Sequence, residues 1–294
     1  MKAKRNKRIV NLRLDEEIVE KLDRISSKLL TSRSELIRQS LTIYLMLLEN
    51  IGFYFKPSAI TNVDVYEERN AINVDLGNMS SLTIFVTSYS GIGELKHDKL
   101  KINLDLVAET MARQVIIEAL CRFVEPLAIM ISTSNDLDYS LKFLKALKNE
   151  ISKHCKARII LASYEPFFAQ KSTSASCTVI GLRDLSIKNI PQRGDKIYLI
   201  GKPMSGLEFL DNKELAVSIK TVKKLTEMVK KGKLSSIFPV KSGGIIEIAN
   251  YAASIAGGKA KLNYDSNGGP VTSVIVTSSN DIKNSEFREI GEIL

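Results

Sequence analysis

Lys7-Arg8-Ile9-Val10-Asn11-Leu12-Arg13-Leu14 alternates apolar and polar side chains, and two amphipathic helical patterns follow it directly. Side chains of an extended chain point alternately to opposite faces, so this stretch predicts a two-faced strand. One face carries Val10, Leu12 and Leu14, which can cover helices. The other face carries Ile9, Asn11 and Arg13. Amide and guanidinium groups are the best suited to bond purine edges in the major groove, so the stretch predicts a strand that reads base pairs.

The first helical pattern begins after Asp15, which stands where an N-cap belongs and is followed by two acids in the first turn. Its apolar stripe recurs at helical spacing and consists of Ile18, Leu22, Ile25 and Leu29. Residues 31–35 end this helix and cap a second one, which runs to about Asn50. We expect the free N–H groups at the start of the second helix, beside Ser32, Arg33 and Ser34, to clamp a DNA phosphate.

The strand-helix-helix pattern, from residue 7 to about 50, resembles the ribbon-helix-helix repressors, the group that includes the Arc and methionine repressors. Asn11-Leu12-Arg13 stands at the family's base-reading strand positions, and the serine and arginine before the second helix fit the family's pattern. The resemblance implies DNA contacts by Arg8, Ile9, Asn11, Arg13, Ser32, Arg33 and Ser34. Ile9 is a departure, since a polar reader is common there; it contacts a thymine methyl or reads nothing. The alternative is an ordinary β-α-α segment that begins a larger fold.

A segment of this size cannot bury an adequate core alone. The resemblance implies that two chains pair their strands into an antiparallel ribbon. We therefore expect an obligate homodimer on double-stranded DNA with a two-fold symmetric operator. If the rest of the chain pairs different subunits, the assembly would be a tetramer.

Composition limits the class of protein. The 294 residues suggest two domains, and the net charge is +9. The cations of the acid-free arm, residues 1–13, predict further phosphate contacts; they are Lys2, Lys4, Arg5, Lys7, Arg8 and Arg13. Three separated cysteines and two histidines argue against a structural zinc site and for a reduced, cytoplasmic setting. No signal peptide is recognised, and the apolar stretch 41–55 is too short to cross a bilayer, so no membrane partner is expected.

Lys56-Pro57-Ser58 marks a break, and the remainder alternates strand-like and helical patterns. The predicted domains are residues 1–52, 53–189 and 190–294, the last two forming an α+β body in two halves. Strands are predicted at residues 81–87, 127–133, 157–163, 177–182, 196–200, 259–263 and 271–277. Helices are predicted at residues 104–123, 136–154, 212–231 and 244–256.

Short motifs along the body resemble the aminoimidazole ribonucleotide synthetase superfamily, which includes selenophosphate synthetase, thiamine-monophosphate kinase, the hydrogenase maturation factor E and formylglycinamidine ribonucleotide synthetase. In chain order the motifs are Asp105-Leu106-Val107-Ala108, Val124-Glu125-Pro126-Leu127, Gly194-Asp195-Lys196-Ile197, Ser242-Gly243-Gly244 and Ile290-Gly291-Glu292-Ile293. Each motif alone is weak, and their order and spacing over residues 60–294 carry the resemblance. It implies a two-half α+β fold that dimerises.

The resemblance also implies a binding site. Members of the superfamily bind ATP or another phosphorylated ligand near the subunit interface, with acids holding magnesium. Asp105 matches an acid that can face metal. If the chain is an active enzyme, Asp75, Asp105 and Glu165 would have to gather magnesium together. Ser242, Gly243 and Gly244 match a glycine turn where a helix start suits a phosphate, and Lys241 can add charge. The alternative for this turn is a plain helix start packed close to a strand.

The departures from the family pattern predict binding without catalysis. Val74-Asp75-Leu76-Gly77 is a poor substitute for the family's glycine-rich acidic loop, and Ala162-Ser163-Tyr164-Glu165 replaces a glycine-rich turn. Arg113-Gln114 stands where the family has an Asn-Asp pair. Phosphoryl chemistry needs several acids to hold magnesium. We therefore expect a ligand-sensing regulator that requires no cofactor; the other hypotheses are an active ATP-dependent enzyme and an architectural protein.

Overall fold

The computed structural model describes residues 11–51, 64–77 and 79–294, without the side chains of residues 46–51. The chain divides into two compact units, an N-terminal unit (residues 1–55) and a body (residues 56–294). Among the described residues, none of the helices combines the length and the apolar character that spanning a bilayer requires.

The N-terminal unit contains the two predicted helices, α1 (Glu16–Lys28) and α2 (Arg33–Ile51). Glu16 and Glu17 lie in the first turn of α1 and Lys28 in its last, which suits the helix dipole. The Ser32 hydroxyl accepts from the Glu35 N–H (3.1 Å), so Ser32 caps α2 as expected. Residues 7–10 of the predicted strand lie outside the described residues. Residues 11–15 carry no regular element in this single chain, and a strand needs a partner strand for its hydrogen bonds.

The body has a mixed α+β architecture, as predicted. In chain order its elements are β1 (Val65–Glu68), β2 (Ala71–Gly77), β3 (Ser80–Ser90), β4 (Ile92–Gly93), β5 (Leu100–Lys101), α3 (Leu104–Cys121), β6 (Val124–Thr133), α4 (Leu137–Ile151), β7 (Arg158–Ser163), β8 (Ser174–Asp184), β9 (Lys196–Ile200), α5 (Gly206–Asp211), a 3-10 turn (Lys213–Leu215), α6 (Ile219–Lys230), β10 (Ser236–Pro239), α7 (Gly244–Ile255), β11 (Ala260–Leu262), β12 (Val274–Ser278) and β13 (Arg288–Ile293).

The first sheet has six strands in the order β1-β2-β3-β8-β6-β7, and only β6 and β7 pair in parallel. One face is buried beneath α3 and α4, with Phe85, Ile129 and Val179 in that core. The other face is half-exposed although many of its side chains are apolar, among them Ile72, Val86 and Ile160. This alternation along each strand is that of a sheet with one covered face.

The second sheet has five antiparallel strands in the order β10-β12-β9-β13-β11 and is covered on both faces. Val274 and Val276 of β12 pack with α6 and the end of α3, whereas Ile275 packs with α7. Because both faces are covered, β9 and β12 read as continuous apolar runs rather than alternating ones.

The central helix is α3, in which 13 of 18 residues are buried. Its Val107 and Met111 belong to the core under the first sheet, whereas Ile117 and Cys121 belong to the core of the second. A helix with buried residues on most of its sides has to be surrounded by protein. Helix α3 therefore joins the two halves, and the Asn103 side chain caps it by accepting from the Leu106 N–H (2.8 Å).

Most predicted elements of the body are confirmed within a few residues, but the predicted helix 212–231 is wrong at its start. Helix α5 ends at Asp211, and a new helix begins only after Ser218, whose hydroxyl accepts from the Thr221 N–H (3.0 Å). The hairpin of β1 and β2 and the short strand β10 were not predicted. Strand β10 has only four residues, all buried, and so short an apolar run shows no period.

Candidate functional site

The candidate base-reading residues are exposed. Asn11 and Arg13 are solvent-accessible, and Leu12 beside them is 54 % exposed. Arg8 and Ile9 lie outside the described residues. Exposure of both Asn11 and Arg13 leaves their side chains accessible to a base-pair edge.

The predicted phosphate clamp lies in the turn between α1 and α2. Ser32 is engaged as the cap of α2, and Ser34 is exposed in its first turn. The Arg33 side chain donates to the Asp23 carboxylate of α1. Both members of this ion pair are about half-exposed, so it is weak and DNA phosphate can compete for the guanidinium.

The predicted glycine turn forms the start of α7. Gly244 has φ +75°, and a Cβ placed there would lie 2.6 Å from the Ser266 carbonyl oxygen. Only glycine tolerates that combination. The Ile245 N–H donates to the same oxygen (3.1 Å), so one free donor of the helix start is satisfied within the protein. The Glu247 carboxylate lies against Gly243. The close packing of this turn against Ser266 is what the second interpretation, a plain helix start, predicts.

Lys241, just before that turn, belongs to a buried charge cluster. Its ammonium donates to both carboxylate oxygens of Glu118 on α3 (3.1 and 2.9 Å), and Glu118 is fully buried. Arg122, 6 % exposed, donates to the same carboxylate (3.3 Å) and to the Asn70 side chain (2.7 Å). The cluster links α3 in the first half with the segment before α7 in the second. Buried charges are tolerated only when they are paired and hydrogen-bonded in this way.

A cavity of about 280 Å³ lies between the two halves of the body, and Lys241 and Ser242 form part of its wall. Most of the remaining wall is apolar and includes Ile92, Leu100, Ile102, Val107, Phe209, Leu210 and Pro270. The polar exceptions include Tyr89 and Gln114, whose side chains meet where the Tyr89 hydroxyl donates to the Gln114 carbonyl (2.9 Å). Burial raises the pKa of the Tyr89 phenol, which stays neutral. An apolar cavity with a few placed polar groups and one cation is the usual form of a small-ligand site.

Asp98 positions one wall of this cavity. The residue is 5 % exposed, and its carboxylate accepts from the N–H groups of Leu95 and Thr173 (2.8 and 2.6 Å) and from the hydroxyls of Ser172 and Thr173 (3.0 and 2.7 Å). These bonds tie the segment containing Ile92 and Leu100 to the start of β8. Burial acts to raise the pKa of Asp98, but the four hydrogen bonds outweigh it and hold the pKa below its ordinary value.

Replacing Asp98 with asparagine is expected to destabilise the body by roughly 1–3 kcal/mol, because charge-assisted hydrogen bonds are lost. A carboxyl group whose pKa is lowered by folding contributes stability above its unfolded pKa of about 4 and loses it as the pH falls through the folded pKa. Urea unfolding should therefore show the largest difference in unfolding free energy between the wild type and the variant at neutral pH. This difference should decrease in acid below about pH 4. A difference independent of pH would contradict the role of the charge.

The two acids predicted to bind a ligand, Asp105 and Glu165, lie in different parts of the body, at the start of α3 and after β7. Asp105 is exposed in the first turn of α3, and neither Asp105 nor Glu165 lines the cavity. The Glu165 carboxylate accepts from the N–H groups of Phe167 and Phe168 (2.9 and 3.0 Å), which holds the pKa of Glu165 below its ordinary value. Over the part of the chain that the structure describes, no group of three or more acidic, histidine or cysteine residues converges to hold a metal. These donors do not fit the multi-acid magnesium site that the resemblance implies.

Arg113 has a structural role that its sequence position did not reveal. Its guanidinium donates to the carbonyl oxygens of Pro270 and Val271 (3.2 and 2.7 Å) and to that of Val217. Burial lowers the pKa of Arg113 to about 10, which still leaves it charged at neutral pH. Arg113 therefore fastens α3 to the second half at the position where the family pattern has an Asn-Asp pair.

Sequence reasoning missed a second cleft, of about 480 Å³, on the half-exposed face of the first sheet. Ser88, Ser176, Ser132 and Ser163 lie opposite one another across β3, β8, β6 and β7. The signal was serine at alternate positions, as in Ser88 and Ser90. Hydroxyl groups both donate and accept, so the cleft can take a polar ligand. The residues of the apolar cavity were missed for another reason, since they come from segments far apart in the chain.

Comparison with known proteins finds a match to each of the two parts of the chain. Residues 8–46 match the family model of the ribbon-helix-helix protein, copG family. No curated protein matches the chain. Among solved structures, AaThiL complexed with AMPPCP and TMP is similar with a TM-score of 0.53 and 14 % identity, over 76 % of this chain and 84 % of that one.

Two further structures have the same fold. Thiamine monophosphate kinase from Aquifex aeolicus matches with a TM-score of 0.50 and 13 % identity, over 72 % of this chain and 84 % of that one. T. maritima PurL complexed with FGAR matches with a TM-score of 0.50 and 15 % identity, over 76 % of this chain and 36 % of that one. The prediction of a ribbon-helix-helix segment before a body with the aminoimidazole ribonucleotide synthetase-like fold is confirmed.

Proposed function

We propose that the chain is a homodimeric, sequence-specific DNA-binding transcription regulator whose body binds a nucleotide or another phosphorylated metabolite without turning it over. The observation that carries the proposal is the ribbon-helix-helix match at residues 8–46, on a segment whose two helices and Ser32 cap lie where that pattern requires them. In this proposal Asn11 and Arg13 read base edges, and the turn at residues 32–34 holds a phosphate.

The lack of a core in the N-terminal unit supports the dimer. Ser26 is the only buried residue among the unit's described side chains, and its exposed apolar residues include Leu12, Ile18, Ile25, Leu41 and Ile43. A unit of two helices cannot be stable with its apolar side chains in water. A second copy that pairs its strand and packs its helices would cover them.

The half-exposed face of the first sheet supports pairing of the body as well. Its apolar side chains include Ile72, Val86 and Ile160, each more than two-fifths exposed. A sheet face of this kind is usually covered by a second layer. We assign this face to a second copy of the body. If the same two chains pair at the ribbon and at this face, the assembly is a dimer; if different chains pair, it is a tetramer.

The proposed ligand site is the cavity of about 280 Å³ between the two halves. Its apolar wall suits a flat ring, and Lys241 and Ser242 suit an anionic group. The Lys241 ammonium uses two contacts on Glu118, and an ammonium has three donors, so one remains for a ligand. AaThiL was solved with AMPPCP and TMP, and PurL with FGAR, which supports a phosphorylated ligand for this fold.

Binding without catalysis is supported by the donors that the described residues provide. Asp105 is exposed, Glu165 is engaged by backbone N–H groups, and Arg113 is engaged by backbone carbonyls. Phosphoryl transfer needs acids that hold magnesium against the phosphates. The discriminating assay is ATP turnover by the purified chain with magnesium. Hydrolysis that is abolished by Asp105→Asn would favour an ATP-dependent enzyme instead.

Regulation would require only that the ligand bind differently to the DNA-competent and DNA-incompetent states. A coupling free energy of about 1–3 kcal/mol is typical of such proteins. Genome-wide footprinting tests the DNA half of the proposal, with discrete symmetric sites as the expected result. Uniform occupancy without preferred sites would contradict sequence-specific reading.

A ligand at the cavity is expected to stabilise the chain by mass action, by about 2.7 kcal/mol at a concentration one hundred times its Kd. AMPPCP is the first probe, and thermal unfolding without magnesium is the measurement. Ser242→Phe should abolish the stabilisation, because an aromatic ring at this exposed wall position obstructs the cavity. The matched control is Ser152→Phe, at the exposed end of α4. Equal stabilisation of both variants would place the ligand elsewhere.

A further inference from the structure

The positive charge of the chain is concentrated in two short segments of the body. Residues 142–158 and 220–233 together contain twelve lysines and arginines and two acids, a net charge of +10 against +9 for the whole chain. All twelve cations are exposed. They are Lys142, Lys145, Lys148, Lys153, Lys156, Arg158, Lys220, Lys223, Lys224, Lys230, Lys231 and Lys233. The remaining residues, among them the basic arm at residues 1–13, have a net charge of −1.

The two segments are neighbours in the fold. His154 and Lys156, in the turn after α4, and Lys223 and Lys230 of α6 all line one open cleft of about 820 Å³. Burial and the positive charge of Lys223 lower the pKa of His154, in keeping with the cleft that both residues line. We call the exposed lysines of these two segments the basic face; Arg158, on the half-exposed face of the first sheet, is not part of it.

Few of these charges are neutralised within the protein. Lys153 pairs with Glu150 (2.6 Å) and Lys230 with Glu227 (2.7 Å). Throughout the described ranges, no other cation of the basic face makes an ion pair. Lys220 stands three and four residues before Lys223 and Lys224, a spacing at which like charges repel on a helix surface. This arrangement of like charges does not stabilise the fold, whereas a bound polyanion would neutralise it.

We propose that the basic face binds the phosphate backbone of double-stranded DNA, without regard to sequence, outside the base pairs that the N-terminal segment reads. The choice of DNA as the partner rests on the proposed function. Helix α6 alone is about 18 Å long, which exceeds a small phosphorylated ligand but suits a row of duplex phosphates. The N-terminal segment and the basic face belong to one chain. DNA bound by the N-terminal segment is therefore at a high local concentration for the basic face.

The test compares two triple variants of the full-length chain. The face variant carries Lys220→Gln, Lys223→Gln and Lys224→Gln, and the control variant carries three equivalent changes away from the face, at Lys171, Lys259 and Lys283. All six lysines are exposed, and none makes an ion pair within the described part of the chain. Glutamine preserves helix propensity, so both variants should keep the wild-type thermal stability.

Binding to a mixed-sequence duplex of about 40 base pairs is measured by anisotropy over a series of salt concentrations. Removing one cation that neutralises a phosphate reduces the salt slope by about one, so the face variant should show a slope smaller by about three units and bind roughly 10- to 100-fold more weakly at 0.1 M salt. The control variant should match the wild type. Equal binding by the face and control variants would overturn the proposal.

Two further readouts separate this proposal from the proposed function. In the unmodified protein, DNA should protect Lys220, Lys223 and Lys224 from acetylation but not Lys171, Lys259 or Lys283; equal labelling would also overturn the proposal. Arg13→Ala should remove sequence preference, whereas the face variant should keep it. If Arg13→Ala kept its sequence preference, that result would count against the proposed function and not against the basic face. If the face variant lost binding to vesicles containing phosphatidylserine but not to DNA, the face would be assigned to a lipid surface and the proposal overturned.

Discussion

Replacing Glu118 with glutamine is expected to destabilise the body by about 3–5 kcal/mol, the usual cost of removing one partner from a buried ion pair. Glu118 is fully buried and neutralises Arg122 and Lys241, which are themselves largely buried. Glutamine has nearly the same shape, so no cavity forms, and the cost arises from two cations left without a counter-charge. Urea unfolding of the full-length chain measures the change.

The matched control is Glu208→Gln, which removes an acid paired with Lys202 (2.8 Å) where both side chains are about half-exposed. An exposed pair contributes about 0–1 kcal/mol, so this variant should remain close to the wild type. The double variant Glu118→Gln, Lys241→Met should recover part of the stability, because one of the unpaired cations is gone. If Glu118→Gln were as stable as the control, the cluster would not hold the two halves together.

Replacing both Asn11 and Arg13 with alanine is expected to weaken specific DNA binding by about 2–6 kcal/mol, since each bidentate base contact contributes about 1–3 kcal/mol. Both side chains are exposed in the single chain. The fold should therefore be spared, and circular dichroism should show unchanged helix content. Anisotropy on a selected operator and on an unrelated duplex measures the loss of preference.

The control for this variant is Arg24→Ala on the exposed side of α1, which removes one positive charge without touching the reading strand. It should reduce binding little and equally for both duplexes. If the Asn11 and Arg13 variant unfolded, the segment would be structural. If it kept its preference for the operator, base reading would be located elsewhere.

The sequence predicted the elements whose pattern is local. Helices α1, α2 and α4 have apolar side chains at helical spacing. The side chains of Ser32 and Asp136 cap α2 and α4, whereas Asp15, predicted to cap α1, makes no side-chain cap bond. The alternating apolar residues of β3 and β8 likewise identify strands with one buried face. The split between α5 and α6 was not recognised, although Ser218 is a capping residue, because apolar residues continue across it.

The site could be predicted only in part, because its contacts join distant segments. Lys241 was singled out for its charge before a helix, but its partner Glu118 lies 123 residues away. The sequence shows Arg113 only as a departure from the family's Asn-Asp pair, and its bonds to the carbonyls of Val217 and Val271 require the second half of the body to be in place. Hydrophobic periodicity predicts which face of a helix or strand is buried. It does not predict which residues that face contacts.

Base reading by Asn11 and Arg13 requires the ribbon formed by two chains at the amino end, and cysteine scanning tests that ribbon most directly. Single cysteines at positions 9–13 are introduced into a chain in which the half-buried Cys155 is serine; Cys121 and Cys177 are buried. In an antiparallel ribbon related by a two-fold axis, residues near the axis face their own copies at about the Cα separation that a disulfide bridges, 4.4–6.8 Å. We predict that one or two adjacent positions form disulfide-linked dimers that still bind DNA. Failure of every position to cross-link would contradict the ribbon, and with it the assignment of Asn11 and Arg13 as base-reading residues.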